Sequence, residues 1–209
     1  TVIFEKNADE RREVASITKL MTALLVLEAL DRDEIALTDS VQISPRAAAM
    51  KGSQALLDAN AVYPLEDLLR TTIMASANDS AVALSEYIAG SEENFVDRMN
   101  RRAAELGMTN TNYVNCTGYP QSGQYTTARD VCRLCCEIAK HPRYNQYASV
   151  WIDKLTHPGG RVTDLTNTNR LVRFYEGCDG YKTTRQNTVS RRRRRRTGCA
   201  LSPSCWGRP

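Results

Sequence analysis

The sequence predicts an α+β fold in which an antiparallel sheet is flanked by helices. A strand piece comes first, a long helical block follows, and strand-forming runs return only in the last third of the body. That order differs from the strand–helix alternation of parallel α/β proteins. The length of 209 residues and the 42% hydrophobic content suit one globular domain, or one domain plus a small helical lobe.

The first elements are the end of a strand and one strongly apolar helix. Residues 1–5 are typical of the second half of a strand or hairpin, and any export signal would lie upstream of them. Residues 16–30 carry apolar side chains on most sides, which predicts a largely buried helix. Residues 41–44 alternate as a short strand and stop at Pro45.

Three further helices are expected in the middle of the chain. Pro64 suits the first turn of a helix that reaches about residue 75. Asn78 or Asp79 begins the next helix, and Gly90 ends it. Ser91 caps a third helix, which ends near residue 107.

The last third of the body combines one helix with strands. Thr127 and Asp130 resemble the two ends of a capping box and predict a helix that closes before residue 141. Residues 149–155 and 161–165 flank a Pro-Gly-Gly turn and predict a hairpin. Residues 179–183 are expected to enter a further strand.

Seven cysteines are present, and the group Cys132, Cys135 and Cys136 invites a metal or redox interpretation. We prefer a structural interpretation, because apolar residues at helical spacing surround these thiols and the thiols then suit small core positions. No second cysteine pair of this kind completes a zinc site, and His141 and His157 are too isolated to supply ligands.

The positive charge of the chain is concentrated in its last 26 residues. The net charge of +4 includes eight arginines after position 183, and six of them are consecutive. The remaining residues carry 20 basic and 24 acidic side chains, so the body is mildly acidic. A nucleic-acid-binding interpretation would depend on the tail alone, where no aromatic residues interleave with the arginines. We therefore expect no nucleic-acid partner.

Three short polar motifs carry the candidate chemistry: a Ser-x-x-Lys, a Ser-x-Asn and a Lys-Thr pair. The residues concerned are Ser16, Lys19, Ser76, Asn78, Lys182 and Thr183. A serine and a lysine three residues apart lie on one face of a helix, which lets the amine reach the hydroxyl. For the amine to act as a base, burial or a second cation such as Lys182 must lower the pKa of Lys19.

Each motif alone has an ordinary structural explanation. A Ser-x-x-Lys pattern occurs by chance about once in a chain of this length and usually marks a helix cap followed by a solvated lysine. A Ser-x-Asn suits a turn, a Lys-Thr suits a surface strand, and Asp79, Glu86 and Glu137 are expected to be solvated helix positions. The conjunction of the three motifs, their order and their placement at element boundaries favour a serine acyl-transfer site.

With their flanking residues, the motifs resemble the serine-type D-alanyl-D-alanine carboxypeptidases, the low-molecular-mass penicillin-binding proteins of bacteria. The likeness runs from residue 2 to residue 183 and includes the stretches 74–81 and 167–171. It implies a β-lactamase/transpeptidase-like fold, in which an antiparallel sheet is flanked by helices and a helical lobe is inserted between the first helix and the later strands. The site then lies in the cleft between the sheet and this lobe. It also implies an extracytoplasmic location, in the periplasm or at the outer face of the cytoplasmic membrane.

The resemblance implies a catalytic role for the first two motifs. Ser16 attacks the terminal D-Ala-D-Ala bond of a peptidoglycan stem peptide, and Lys19 takes the proton of the serine. Ser76 relays a proton to the leaving D-alanine. Asn78 holds the substrate amide or orients Lys19.

The third motif, Lys182 and Thr183, is implied to bind the free carboxylate of the substrate. β-Lactam antibiotics would acylate the same serine and act as inhibitors. Such a site requires no metal and no organic cofactor. Membrane association is expected only through a C-terminal segment missing from this chain.

The chain departs from the family pattern directly after Thr183. The family has Lys-Thr-Gly, whereas this chain has Thr184, whose branched side chain would crowd the cleft and disturb one oxyanion-hole N–H. When the segment after Gly198 is back-translated with GC-rich codons and the reading frame is shifted by one base, the segment can encode an alternating apolar strand. The family has a strand of this kind at that place. We therefore predict a catalytic domain at residues 1–183, incomplete at both ends and lacking its C-terminal strands, and an out-of-frame basic tail at residues 184–209. Resequencing the DNA across codon 184 tests this frameshift.

Three alternatives stay open on the sequence alone. A class A β-lactamase shares the fold, but no Glu-x-x-Leu-Asn motif lies between Asn78 and Lys182. A transpeptidase keeps the same motifs and differs in the acceptor that enters. A catalytically impaired binding remnant follows if the lost glycine and the lost strands disable the site. Missing strands also predict an exposed sheet edge and poor solubility.

Overall fold

The structure is a computed structural model that describes residue 2, residues 4–178 and residues 180–183. Within that part, a 3-10 turn (Ser16–Thr18), eight α-helices and four strands are assigned. The helices are α1 (Lys19–Asp31), α2 (Pro45–Ala48), α3 (Leu65–Met74), α4 (Asn78–Ala89), α5 (Glu92–Glu105), α6 (Ala128–Ile138), α7 (Pro142–Ala148) and α8 (Leu171–Phe174). The strands are β1 (Ser40–Gln42), β2 (Val62–Pro64), β3 (Ile152–Thr156) and β4 (Val162–Thr166). The expected basic tail, with its run of arginines, lies outside the described residues.

Helix α1 is the central helix of the domain, because its side chains are apolar on nearly every side. All its residues except Glu28 and Asp31 are buried, and it contacts α3, α4, α5, α6 and α7. Burying each of its leucines contributes about 1.5–3 kcal/mol to stability. The predicted buried helix at residues 16–30 is therefore confirmed, and the 3-10 turn leads directly into it.

Capping side chains set the boundaries of the outer helices. The Ser91 hydroxyl accepts a hydrogen bond from the backbone N–H of Asn94 at the start of α5, and Thr127 accepts one from Asp130 at the start of α6. Gly90 ends α4 in the left-handed conformation, with φ of 78°. These signals are confirmed. The placement of Pro64 is wrong by one residue, since it ends β2 and directly precedes α3.

The strands form two small antiparallel sheets that flank the helices. β1 pairs with β2, and β3 pairs with β4 around the predicted Pro-Gly-Gly turn. The α+β class and the hairpin are confirmed, although the described residues hold two two-stranded sheets rather than one larger sheet. The strands expected at residues 1–5 and 179–183 are not among the described elements. Residues 1, 3 and 179 of these two stretches lie outside the described residues, and Val2 and Phe4 are exposed.

Three short helices, α2, α7 and α8, were not predicted from the sequence. Each has only four to seven residues, too few for a helical period to show in the apolar pattern. None of the helices in the described part is both long enough and apolar enough to span a bilayer.

Candidate active site

Lys19, the first residue of α1, has its amine buried between two neutral oxygens. Its Nζ donates one hydrogen bond of 2.6 Å to Oδ1 of Asn78 and another of 2.6 Å to the backbone carbonyl of Thr117. Only 2% of the residue is exposed. Burial lowers the pKa of Lys19 from 10.5 to about 8, since the interior solvates an ammonium poorly, while Cys116 and Asp79 act in the opposite direction. An amine with this pKa can accept a proton near neutral pH.

Ser16 lies one turn before Lys19, at the start of the 3-10 turn. Gly118 packs directly against the backbone that leads into Ser16. A Cβ atom on Gly118 would lie 2.0 Å from the carbonyl oxygen of Ala15, and Gly118 has a φ of +78°. Only glycine fits there without displacing backbone. This contact fixes the 3-10 turn that leads into α1 against the same segment that supplies the Thr117 carbonyl.

The segment that carries Thr117 is itself held by buried polar side chains. The Asn115 carboxamide oxygen accepts hydrogen bonds from the backbone N–H groups of Thr117 and Gly118. The buried carboxylate of Glu92 accepts one from the N–H of Cys116 at 3.0 Å. These contacts aim the Thr117 carbonyl at Lys19. Sequence analysis missed this group, because a backbone carbonyl has no side-chain signature.

Ser76 lies in the tight connection between α3 and α4, and Asn78 is the first residue of α4. Ser76 has a φ of 61°, a left-handed conformation that costs most residues energy, and its buried hydroxyl has no hydrogen-bond partner among the described residues. The Asn78 amide Nδ2 donates to the carbonyl of Lys51, which turns its Oδ1 toward Lys19. A strained residue with an unpartnered buried hydroxyl is suited to contact a ligand.

Asp79 was expected to be solvated, and this expectation is wrong. The residue is fully buried, and its carboxylate accepts hydrogen bonds from the backbone N–H groups of Ala55, Leu57 and Ser80. The loop at residues 51–57 covers the N-terminus of α4, so a helix position that would otherwise face water is enclosed. Asp79 thereby fixes this loop beside Asn78.

Two other acidic residues were also wrongly expected to be solvated. Glu86 and Glu137 are partly buried and form ion pairs with Arg46 and Arg102 respectively. Arg46 and Arg102 lie far from them in the sequence, so no local pattern indicates these two pairs, although Glu137 also pairs with nearby Lys140.

The three cysteines of α6 do not share one environment. Cys135 is buried in the core as predicted, but Cys132 and Cys136 are exposed, which contradicts the core interpretation for those two. The reason is helical geometry: positions 132 and 136 lie one turn apart on one face, and position 135 lies on the inner face.

Lys182 brings a second buried amine to the vicinity of Lys19. It is 3% exposed, and its Nζ has no hydrogen-bond partner in the described part of the chain. Burial lowers the pKa of Lys182, and the charge of Lys19 lowers it further. Burial, rather than the charge of Lys182, accounts for the low pKa of Lys19. An unpartnered buried amine attracts an anion, and an arriving carboxylate favours its charged form.

Asparagine side chains hold the segment around Lys182. Asn169 donates from Nδ2 to the carbonyl of Gly180 at 2.6 Å, and the hydroxyl of Thr183 donates to the carbonyl of Thr168 at 3.2 Å. The N–H of Thr168 donates to the carbonyl at the end of α3, two residues before Ser76. The segment 167–169 therefore links the third motif to the second.

The six sequence-predicted residues come from three separated stretches of the chain. The structure brings Lys19 into direct contact with Asn78 and into electrostatic contact with Lys182. Ser16 precedes Lys19 by one turn, and Ser76 precedes Asn78 by two residues. The arrangement presents two serine hydroxyls and two low-pKa amines, groups suited to nucleophilic acyl transfer.

Comparison with known proteins gives matches over most of the chain. Residues 1–190 match the family of D-alanyl-D-alanine carboxypeptidases. D-alanyl-D-alanine carboxypeptidase DacF of Bacillus subtilis is 41% identical over 182 residues, which cover 87% of this chain and 47% of DacF. DacC of Escherichia coli is 40% identical over 139 residues, which cover 64% of this chain and 35% of DacC. The chain thus spans about half the length of these relatives, or less.

Solved structures show the same fold. The D-alanyl-D-alanine carboxypeptidase DacD from Francisella tularensis superposes with a TM-score of 0.85 at 27% identity, covering 90% of this chain and 57% of that protein. Penicillin binding protein 5 from Haemophilus influenzae gives a TM-score of 0.82 at 31% identity, covering 89% of this chain and 54% of that protein. The expected fold class is confirmed by these similarities.

Proposed function

The chain belongs to the D-alanyl-D-alanine carboxypeptidase family, and from this we propose that it removes the terminal D-alanine of peptidoglycan stem peptides through an acyl-serine intermediate. One observation carries the proposal. The amine of Lys19 is buried, has a pKa of about 8 and lies one turn after Ser16. In its neutral form this amine uses both N–H groups on Asn78 and Thr117, which leaves its lone pair free to accept the proton of a serine.

In the proposed reaction, Ser16 Oγ attacks the carbonyl carbon of the penultimate D-alanine while Lys19 accepts the hydroxyl proton. The tetrahedral intermediate collapses, the peptide C–N bond breaks, and the leaving amine receives a proton through Ser76. Water then hydrolyses the acyl-serine ester, with Lys19 again as the base. The unpartnered, buried hydroxyl of Ser76 supports its assignment as the relay.

The two remaining roles follow from hydrogen bonding and charge. Asn78 orients the amine of Lys19, because its Oδ1 accepts from Nζ while its Nδ2 is used by the Lys51 carbonyl. Lys182 and Thr183 bind the terminal carboxylate of the substrate. The unpartnered amine of Lys182 supports this assignment. β-Lactams would enter the same site as substrate mimics, and the protein would act outside the cytoplasmic membrane, where peptidoglycan lies.

Release of D-alanine tests the proposed activity. A peptide ending in D-Ala-D-Ala is expected to yield free D-alanine, measured with a D-amino-acid oxidase assay, and the matched peptide ending in D-Ala-L-Ala is expected to yield no L-alanine. A second candidate function is that of a catalytically impaired binding protein, and the replacement of the motif glycine by Thr184 favours it. Such a protein would bind penicillin but release no D-alanine. Equal cleavage of both peptides would contradict the stereospecific function.

The acylation rate is expected to rise with pH through about 8. Lys19 must be neutral to accept a proton, and its pKa of about 8 makes the ammonium dominant below that pH. The second-order rate constant for acylation by a penicillin should therefore increase about tenfold per pH unit below pH 7 and level off above pH 9. Stopped-flow measurements between pH 6 and 9.5 check this, with Lys154→Met as the control at an exposed lysine. A rate that stays constant from pH 6.5 to 9 would exclude Lys19 as the base.

A further inference from the structure

The exposed face of α6 carries two thiols that the proposed reaction does not use. Cys132 and Cys136 are both free and exposed, and they lie one helical turn apart. Residues four apart on a helix have Cβ atoms about 5–6 Å from each other. The two thiols are close enough to form a hydrogen bond with one another. They therefore form a preformed pair of sulfur ligands on a rigid element.

A pair of sulfur ligands suits a soft cation. Burial and the neighbouring thiol of Cys136 raise the pKa of Cys132, and Arg129, one turn earlier on α6, only partly offsets this effect. Thiolates rather than thiols bind metals, and soft thiolate ligands select soft cations such as Cu(I). A protein zinc site normally requires four ligands. Among the described residues, no group of three or more His, Cys, Asp or Glu side chains is arranged to hold a metal ion.

We propose that Cys132 and Cys136 form a chelating site for a univalent thiophilic cation, represented by Cu(I). Two sulfurs satisfy the two-coordinate geometry that such an ion accepts, so the site needs no third ligand. Binding forms two Cu–S bonds and releases the two thiol protons to solvent, and the oxidation state of the metal does not change. The complex carries one negative charge.

Competitive Cu(I) titration tests the site in the full chain. Cys199 and Cys205 are replaced by serine in every protein, because these tail thiols would compete for the metal. Under anaerobic conditions, with bicinchoninate as the chromogenic competitor, this parent is expected to bind one equivalent of Cu(I). Cys132→Ser or Cys136→Ser should each weaken binding by roughly 10²- to 10⁴-fold, since each removes the second, intramolecular ligand.

Cys178→Ser is the matched control, because this half-buried thiol lies outside α6. It should leave the affinity unchanged within about twofold, and circular dichroism should show the same fold in all variants, since positions 132 and 136 are exposed. One equivalent bound with unchanged affinity by the Cys132→Ser/Cys136→Ser protein would overturn the proposal. Failure of the parent to compete with bicinchoninate would overturn it as well. A copper-dependent dimer in size-exclusion chromatography would show bridging between chains and would exclude the chelate.

Discussion

Ser16→Ala is expected to abolish covalent labelling by a fluorescent penicillin and to lower the acylation rate by about 10⁴-fold or more. The substitution removes the hydroxyl that we propose forms the ester, while Lys19 retains its bonds to Asn78 and Thr117. Ser16 is half-buried on a 3-10 turn, so the loss of one hydroxyl should change the free energy of unfolding by less than about 1 kcal/mol. The variant thus separates loss of chemistry from loss of structure.

Gel fluorescence after incubation with the probe measures the labelling, and peptide mass spectrometry locates the adduct. Ser149→Ala is the control, because Ser149 is exposed and its hydroxyl donates, among the described residues, only to the carbonyl of Asn145 in α7. It should label like the unmodified chain. Undiminished labelling of folded Ser16→Ala protein would place the nucleophile elsewhere and would refute the proposed mechanism.

Asp79→Ala is expected to lower the free energy of unfolding by about 3–5 kcal/mol. The carboxylate is fully buried and accepts hydrogen bonds from three backbone N–H groups, at Ala55, Leu57 and Ser80. Its removal leaves those donors buried without a partner. The loss should also release the loop at residues 51–57, which contacts Asn78 through the Lys51 carbonyl.

Urea unfolding followed by circular dichroism measures this effect. Asp97→Ala is the matched control, since Asp97 is exposed on α5 and its loss should change stability by no more than about 0.5 kcal/mol. Asp79→Asn keeps one acceptor oxygen and should fall between the two, which preserves the comparison if the alanine variant does not fold. Equal midpoints for the Asp79→Ala and Asp97→Ala proteins would show that the carboxylate does not hold the loop.

Local signals in the sequence predicted most of the longer elements. The apolar pattern of α1, the caps at Ser91 and Thr127, and the stop at Gly90 depend on residues within one or two turns of each other, so the chain alone displays them. The three short helices have too few residues for a helical period to show. The enclosed position of Asp79 depends on the loop at residues 51–57, which folds over it from elsewhere in the chain. The exposure of Cys132 and Cys136 was mistaken for burial, because the apolar pattern of α6 was extended to all three thiols although positions 132 and 136 lie on a different face from position 135.

The sequence by itself determined which groups are available for chemistry: a serine and a lysine one turn apart, a second serine and asparagine between two helices, and a third motif near residue 182. Only the tertiary structure decided the ionisation of Lys19. Its amine is bound by Asn78, 59 positions away, and by the carbonyl of Thr117, 98 positions away. A pKa responds to burial and to neighbouring atoms in space, and neither can be derived from spacing along the chain.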